Sequence, residues 1–274
     1  MDLFSNLYAL EFCSFSSGSS GNCYYIGNQN GAIFIDVGLS SRKIKKHLNE
    51  IGRRLADIKA IFITHDHIDH IKGVQELTLS HKIPLYATTH TLSGIELNRF
   101  TNQADKNCFR PINFESPIII GDMRITAFEV EHDAKGAAGF HIENSHQKIT
   151  LATDLGHISH RAAHYLRKAN IMILESNYDE EMLARGPYPP YLQERIKGSK
   201  GHLGNHQVAE FLANHIQEHT SHVFLAHLSE HNNSVEKALF AAESAFNEMP
   251  YRPKINCLNR KQRSDFFRFT VMAD

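Results

Sequence analysis

The sequence predicts an α/β protein with two β-sheets packed face to face and helices on the outer faces, folded as one domain over residues 1–274. Two observations carry this expectation. Short apolar runs rich in β-branched and aromatic residues recur along the chain, as buried strands require. In each half they begin as a meander and then alternate with helical patterns, which places helices outside paired sheets. No linker or low-complexity tail separates the halves.

In the first half LEFCSF, CYYIG and AIFIDV are separated by SSGSSGN (16–22) and NQNG (28–31), both built of turn formers. Ser40 or Ser41 can then cap a helix whose Ile44, Leu48 and Ile51 share one face, with Gly52 suited to its end. KAIFIT (59–64) reads as a short buried strand, and the histidine-rich stretch after it reads as a loop. IKGVQELTLSHK (71–82) continues as a helix and PLYAT (84–88) as the next strand. The second half repeats the scheme. PIIIG, MRITAFEV, AAGFHIEN and KITLATD are strands broken by Gly or polar turns between Ser116 and Leu155. A helix over 158–168, the strand NIMILES, a helix over 204–218, the strand HVFLAH and a helix over 234–248 follow.

Composition narrows the function classes. A net charge of −1 and a pI near 7.0 advertise no nucleic-acid or membrane partner in bulk, so any basic surface must be local. Cys13, Cys23, Cys108 and Cys257 form no C-x-x-C pair, which argues against a zinc ribbon or a disulfide framework. MDLFSNLYALEF lacks the pattern of a secretory signal, and no apolar stretch reaches membrane-spanning length. A cytoplasmic protein with reduced thiols is expected.

Histidine is the compositional oddity, with 19 in the chain, and imidazole is the commonest metal ligand. His65-Asp66-His67-Ile68-Asp69-His70 gathers ligand-type side chains directly after a buried strand. Residues 65 and 67 project to one side of an extended loop. Asp69 and His70 can turn toward a neighbouring point about 3.5–4 Å away, one metal–metal spacing. Imidazole and carboxylate donors suit zinc and also admit manganese or iron. The expected cofactors are therefore two divalent transition-metal ions, Zn2+ or Mn2+, with Fe as a third candidate. A solvated polar loop would explain a lone H-x-H, but not this density of donors.

The H-x-H-x-D-H pattern after an apolar strand resembles the metallo-β-lactamase superfamily. That resemblance implies a four-layer αββα sandwich of two mixed β-sheets, and it assigns later residues. FIDVG supplies Asp36, FEVEHDA supplies His132, LATDLG supplies Asp154 and FLAHLS supplies His227. Position by position it implies that His65, His67 and His132 hold one metal, that Asp69, His70 and His227 hold the second, and that Asp154 bridges them. Asp36 would brace the histidine loop from behind. His157 and His160 read instead as exposed or capping residues, His141 as structural, and His231 as surface or substrate-facing.

Two metals sharing a water lower its pKa and favour hydrolysis. LESNYD (174–179) and GHLGNHQVAEFL (201–212) look like the glutamate and histidine motifs of the superfamily's phosphodiesterase branch. The resemblance there implies that Glu175 orients His202, which protonates the leaving oxygen, with Asp69 in the catalytic set. SSGSSGN, H-D-H-I-D-H, GHLGN and AHLSEHNN together resemble the YycJ/WalJ/VicX-like group over nearly the whole chain. That implies a nuclease acting on DNA, with exonuclease activity the leading expectation and a metal-bridging hydroxide as nucleophile. Ser19, Ser20, Asn22, Asn205, Ser229, Asn232 and Asn233 are the candidate substrate contacts. The chain departs from the group at Gly204, where a Ser is expected, and at Tyr178, where a His is expected.

Basic residues for a phosphate backbone occur at Arg42, Lys43, Lys45 and Lys46, at Arg195, Lys197 and Lys200, and at Arg260, Lys261, Arg263 and Arg268. Gathered round one groove they would make binding steeply salt-dependent; scattered, they would favour a small substrate. The competing functions are a hydrolase of small phosphodiesters or thioesters, and a regulatory binding protein on the same scaffold.

Overall fold

A computed structural model describes residues 8–247 and 249–270. The first half runs through strands β1 (Tyr8–Ser16), β2 (Cys23–Asn28) and β3 (Gly31–Ile35), helix α1 (Ser41–Glu50) and β4 (Ile58–Phe62). It continues with α2 (Ile68–Ile71), α3 (Val74–His81), β5 (Leu85–Thr88), α4 (Thr89–Leu97) and β6 (Phe109–Ile112). The second half opens with β7 (Ile118–Ile120), β8 (Met123–Glu129), β9 (Ala138–Glu143) and β10 (Lys148–Ala152). It then alternates α5 (His160–Arg167), β11 (Ile171–Glu175), α6 (Glu180–Arg185), α7 (Pro190–Lys197), α8 (Asn205–His215), β12 (His222–Ala226), α9 (Val235–Ser244) and β13 (Lys254–Cys257). Strand β14 (Phe267–Thr270) returns to pair with β1.

Among the described residues these strands form two seven-stranded mixed sheets, ordered β14-β1-β2-β3-β4-β5-β6 and β13-β12-β11-β10-β9-β8-β7. Each begins antiparallel and ends parallel: β3 to β6 run together, as do β10 to β13. The side-chain period of two sorts the strands between cores. Ile33, Ile35 and Phe62 point inward with Ile125, Phe140, Leu151, Ile173 and Phe224. Phe34, Ile61 and Ile63 point outward to Ile44 and Leu48 of α1, Leu77 of α3 and Ile95 of α4. On the opposite face Met172, Leu174 and Leu225 meet Leu166 of α5, Phe211 of α8 and Ala238 of α9. The result is the expected αββα sandwich, and Phe62 joins the sheets by lying edge-on to Phe140 at 5.6 Å.

Of the two serines expected to cap α1 it is Ser40 that does so, and Ser159 and Ser234 cap α5 and α9, each accepting a backbone N–H of the first turn. The structure corrects the expected loop over 65–70, because Ile68–Ile71 forms a helical turn. Ile71 is buried and anchors that turn, and the side chains of Asp69 and His70 come together, with Asp69 Oδ2 3.5 Å from His70 Nε2. The helix expected over 71–82 starts only at Val74, since Gly73 lies beneath the carbonyls of Val37 and Leu39. Strands β6, β13 and β14 and helices α4, α6 and α7 have no counterpart in the sequence reading.

The parallel strands aim their C-terminal ends the same way, and the ligand-type residues sit just beyond them. Asp36, Asp154 and His227 each follow a strand in the left-handed region, with φ of 57°, 58° and 55°. The 36–39 segment clamps the histidine loop: Val37 N–H donates to His70 O and Gly73 N–H to Val37 O, while Asn22 N–H donates to Asp69 O and Gly38 N–H to Asn22 O. A Cβ at position 38 would stand 1.6 Å from the Asp69 carbonyl oxygen, so only glycine fits. Gly38→Ala is expected to cost about 3 kcal/mol in urea unfolding. It should also weaken metal retention, measured by dialysis and elemental analysis, although residue 38 carries no ligand.

Candidate metal centre

Four sets of donor atoms converge at the strand ends, each set within 4.8 Å: His65, His67 and His132; Asp69, His70 and His227; His65, His70 and Asp154; and Asp154, Glu175, His202 and His227. All seven anticipated ligands are thus together. Asp154 stands between the groups, with its carboxylate 3.5 Å from His70 Nε2, 4.0 Å from His132 Nε2 and 3.3 Å from His227 Nδ1.

The second nitrogen of most of these imidazoles is already committed. His70 Nδ1 donates to Asp36 at 2.7 Å, His132 Nδ1 to the Gly201 carbonyl at 3.2 Å and His227 Nδ1 to Glu175 at 2.9 Å. His65 Nδ1 meets Thr64 Oγ1 at 3.0 Å. Such contacts fix the ring and direct the other nitrogen to a cation. His132 Nε2, His227 Nε2 and Asp154 Oδ2 are buried and without a hydrogen-bond partner, which in a protein interior marks atoms meant for something else. Burial, then His70, His132 and His67, push His65 well below its ordinary pKa, so it is the neutral imidazole that metals bind. Burial would raise Asp69, but His70 and His227 hold its carboxyl well below the usual range. The donor set therefore fits divalent transition metals.

Asp36 behaves as a brace. Its fully buried carboxylate accepts from Thr64 N at 2.8 Å, from Thr64 Oγ1 and from His70, and so ties β3 to the histidine loop.

Glu175, although among the donors, has both oxygens occupied. Oε1 accepts from His202 Nδ1 at 2.8 Å and from His227 Nδ1, and Oε2 accepts from the backbone N–H groups of Leu155 and Leu203 at 3.1 Å. Burial would raise this carboxyl, yet His202 and His227 hold it well below its ordinary range. Burial would lower His202, and Glu175 outweighs it, so this imidazole keeps its proton more firmly than usual. His202 lines a cavity of about 260 Å3 with His67, Asp69, His132, Asp154 and His227.

The family follows from a match over most of this framework. The model described as a β-lactamase superfamily domain matches residues 32–227. The chain belongs to that family. It is 32% identical over 239 residues, 87% of this chain and 90% of the relative, to the Bacillus anthracis protein named exodeoxyribonuclease YycJ. It is 34% identical over 228 residues, 83% of this chain and 85% of the relative, to exodeoxyribonuclease WalJ of Streptococcus pneumoniae serotype 2. The solved metallo-β-lactamase fold protein YhfI from Bacillus subtilis aligns with a TM-score of 0.68 at 14% identity, covering 93% of this chain and 98% of that one, a likeness of fold alone. Within the β-lactamase superfamily the convergent donors make the chain a metal-dependent hydrolase.

The two departures from the YycJ/WalJ/VicX-like pattern are one feature. Tyr178 and Gly204 pair in a parallel bridge, and a Cβ on residue 204 would stand 2.9 Å from the Tyr178 ring. The larger aromatic takes the room that a side chain at 204 would need.

The structure divides the anticipated substrate contacts. Ser19 and Ser229 line the cavity. Ser20 is exposed and bonds to the Arg260 carbonyl instead. Asn22 is buried and does not line the cavity; its amide sits on His70 Nε2, the nitrogen turned away from Asp36, at 3.0 Å and near Asp69. Asn205 and Asn233 bond to one another and to Ser176, and Asn232 is buried against Ser229, so none of the three reaches the cavity. Loop 16–22 is largely self-closed, with Gly18 N–H on Asn22 and Gly21 N–H on Gly18.

Sequence reading missed the wall opposite the ligands, formed by Tyr188, Leu192 and Ile196. It missed Asn177, whose amide holds the His227 carbonyl at 2.8 Å, although Asn177 lies only two positions beyond Glu175. Of the anticipated basic residues Arg195 lines the cavity, paired with Asp133. Lys46 and Arg263 meet at Glu50, which brings the first-helix and C-terminal clusters together. His141 is buried on Thr150 and His157 rests on the Ser199 carbonyl, while Ser159, not His160, caps α5.

Asp69→Ala and His70→Ala are each expected to lose one equivalent of metal by elemental analysis, with nearly all hydrolysis. Asp36→Asn keeps the shape of the brace but removes its charge. It should weaken metal affinity about 10–100-fold in a chelator competition.

Proposed function

We propose that this chain hydrolyses phosphodiester bonds in DNA as an exonuclease. The observation that carries the chemistry is the Glu175–His202 contact of 2.8 Å at the edge of the ligand cluster. DNA as substrate rests on the names of the two relatives, which cover more than four-fifths of this chain. His65, His67 and His132 would hold one divalent ion, and Asp69, His70 and His227 a second, with Asp154 common to both. Zinc or manganese suits these donors, and iron is a further candidate. When bound, such ions supply Lewis acidity, which lowers the pKa of water and offsets charge on an attacked phosphate.

The remaining steps belong to the chain's own side chains. Glu175 fixes the His202 ring by accepting from Nδ1, which leaves Nε2 as the edge that can deliver a proton. A protonated His202 gives that proton to the departing alkoxide oxygen, the poorest leaving group in the reaction. Asp69 stays ionised at the cavity, and Ser19, Ser229 and Arg195 supply polar groups at its rim. No helix among the described residues is long and apolar enough to cross a membrane.

Incubation of metal-loaded protein with end-labelled single- and double-stranded DNA, RNA and a small phosphodiester should show mononucleotide release from DNA. Turnover of the small compound alone would overturn the proposal. His202→Ala should keep its metal and lose about 10²–10⁴ in rate on DNA. The loss should be least on a nitrophenyl ester, whose leaving group needs no proton; equal loss on both substrates would assign His202 to positioning instead.

A further inference from the structure

At the end of the second sheet remote from the ligands lies a cleft of about 670 Å3, lined by Lys148, Arg167 and Lys168 together with His146, His164 and His219. No carboxylate lines it, and none of the three cations has an ion-pair partner among the described residues. Some basic side chains elsewhere are taken, Lys45 by Glu76, Lys261 by Glu230 and Arg195 by Asp133; what sets this cleft apart is that three cations without such partners gather in one concave site. The floor is built rather than casual. Asn170, between α5 and β11, accepts from Lys148 N–H at 2.9 Å and donates to the His219 carbonyl at 3.3 Å, while His219 Nε2 donates to the Arg167 carbonyl.

Arg167 and Lys168 close the C-terminal end of α5, where cations complement the helix dipole. That does not account for Lys148, which opens β10, or for the histidines from other segments. Of the nearby acids, Glu218 stands between the lining residues Gln217 and His219 but is not itself part of the lining, and the others are engaged or set apart. Glu143, the cross-strand partner of Lys148, turns to Arg124 and His141. Glu115, Glu129 and Glu131 line a separate cleft beyond His164, where Arg161 meets the first two. The positive field reaches inward, since His141 is pushed down to about 3 by burial first and then by Lys168, Lys148 and His164.

We propose that this cleft is a second phosphate site, which holds the backbone of a nucleic-acid strand away from the bond being cut. The proposal rests on the nuclease reading above. Cations drawn from separate elements suit a run of phosphates better than one. Lys148 lies six residues before Asp154, a span of about 20 Å along extended chain. At 3.4 Å per stacked nucleotide step, and about twice that when the strand is extended, a strand of about 30 nucleotides reaches both places and one of about 3 does not.

The test is a triple variant, Lys148→Gln with Arg167→Gln and Lys168→Gln, assayed as metal-loaded protein on strands of about 3 and about 30 nucleotides. Each single-strand phosphate contact contributes about 0.7 to the slope of log affinity against log salt. On the long strand the dependence of KM on salt should become shallower by about 2, with kcat unchanged, and on the short strand neither should move. Lys148→Arg with Lys168→Arg should behave as the natural chain, separating lost charge from damaged folding. An unchanged slope on the long strand, or equal losses on both strands, overturns the proposal. So does a variant that loses affinity for polyglutamate but keeps it for DNA. If the natural chain cuts no DNA at all, the nuclease reading falls, and fluorescence anisotropy with the same two strands still decides the cleft.

Discussion

The Glu175 carboxylate is fully buried, and a charge in that position is tolerable only when its oxygens are well supplied with donors. Its donors come from three separate loops: Leu155 beside Asp154, His202 and Leu203 before α8, and His227 after β12. One requirement therefore fixes the relative positions of two anticipated ligands and the anticipated acid. Asp36 does the same for the first sheet through Thr64 and His70. Each sheet contributes a buried carboxylate that organises histidines, and the cavity lies where the two sets of loops face one another.

Much of this was legible because the informative residues sit at strand ends. A run such as FLAHLS declares a buried strand and then breaks its own pattern, and the break at His227 is the signal. The helical turn at Ile68–Ile71 was hidden because four residues are too few for a period to show. Strand β6 carries Pro111 and shows only a short, partly exposed run. The helices α6 and α7 enclose a small cluster of Tyr178, Leu183 and Ile196, so their apolar pattern is brief. The wall of Tyr188 and Leu192 went unread for that reason. Asn205 and Asn233 misled in the opposite sense: polar residues near a site suggest substrate contacts, but burial commits them to each other.

Net charge was a poor guide to where charge is available. Arg263 and Lys46 share Glu50, and Arg53 is held by Glu11 at 2.6 Å. Basic residues that cluster in sequence are thus partly neutralised in space. Lys148 and Lys168 stand twenty positions apart in the chain, drew no notice as a motif, and meet only because β10 begins where α5 ends.

The backbone at Asp36, Asp154 and His227 carries a cost that the side chains alone do not reveal. A left-handed conformation is unfavourable by about 1–2 kcal/mol for most residues, less for Asp than for His. Three such positions surround one cavity. Glycine would relax each of them, so the chain gives up stability to place a carboxylate or imidazole on a bent strand end. Selection for thermal tolerance alone would drift toward glycine there and leave a sturdier, inert scaffold.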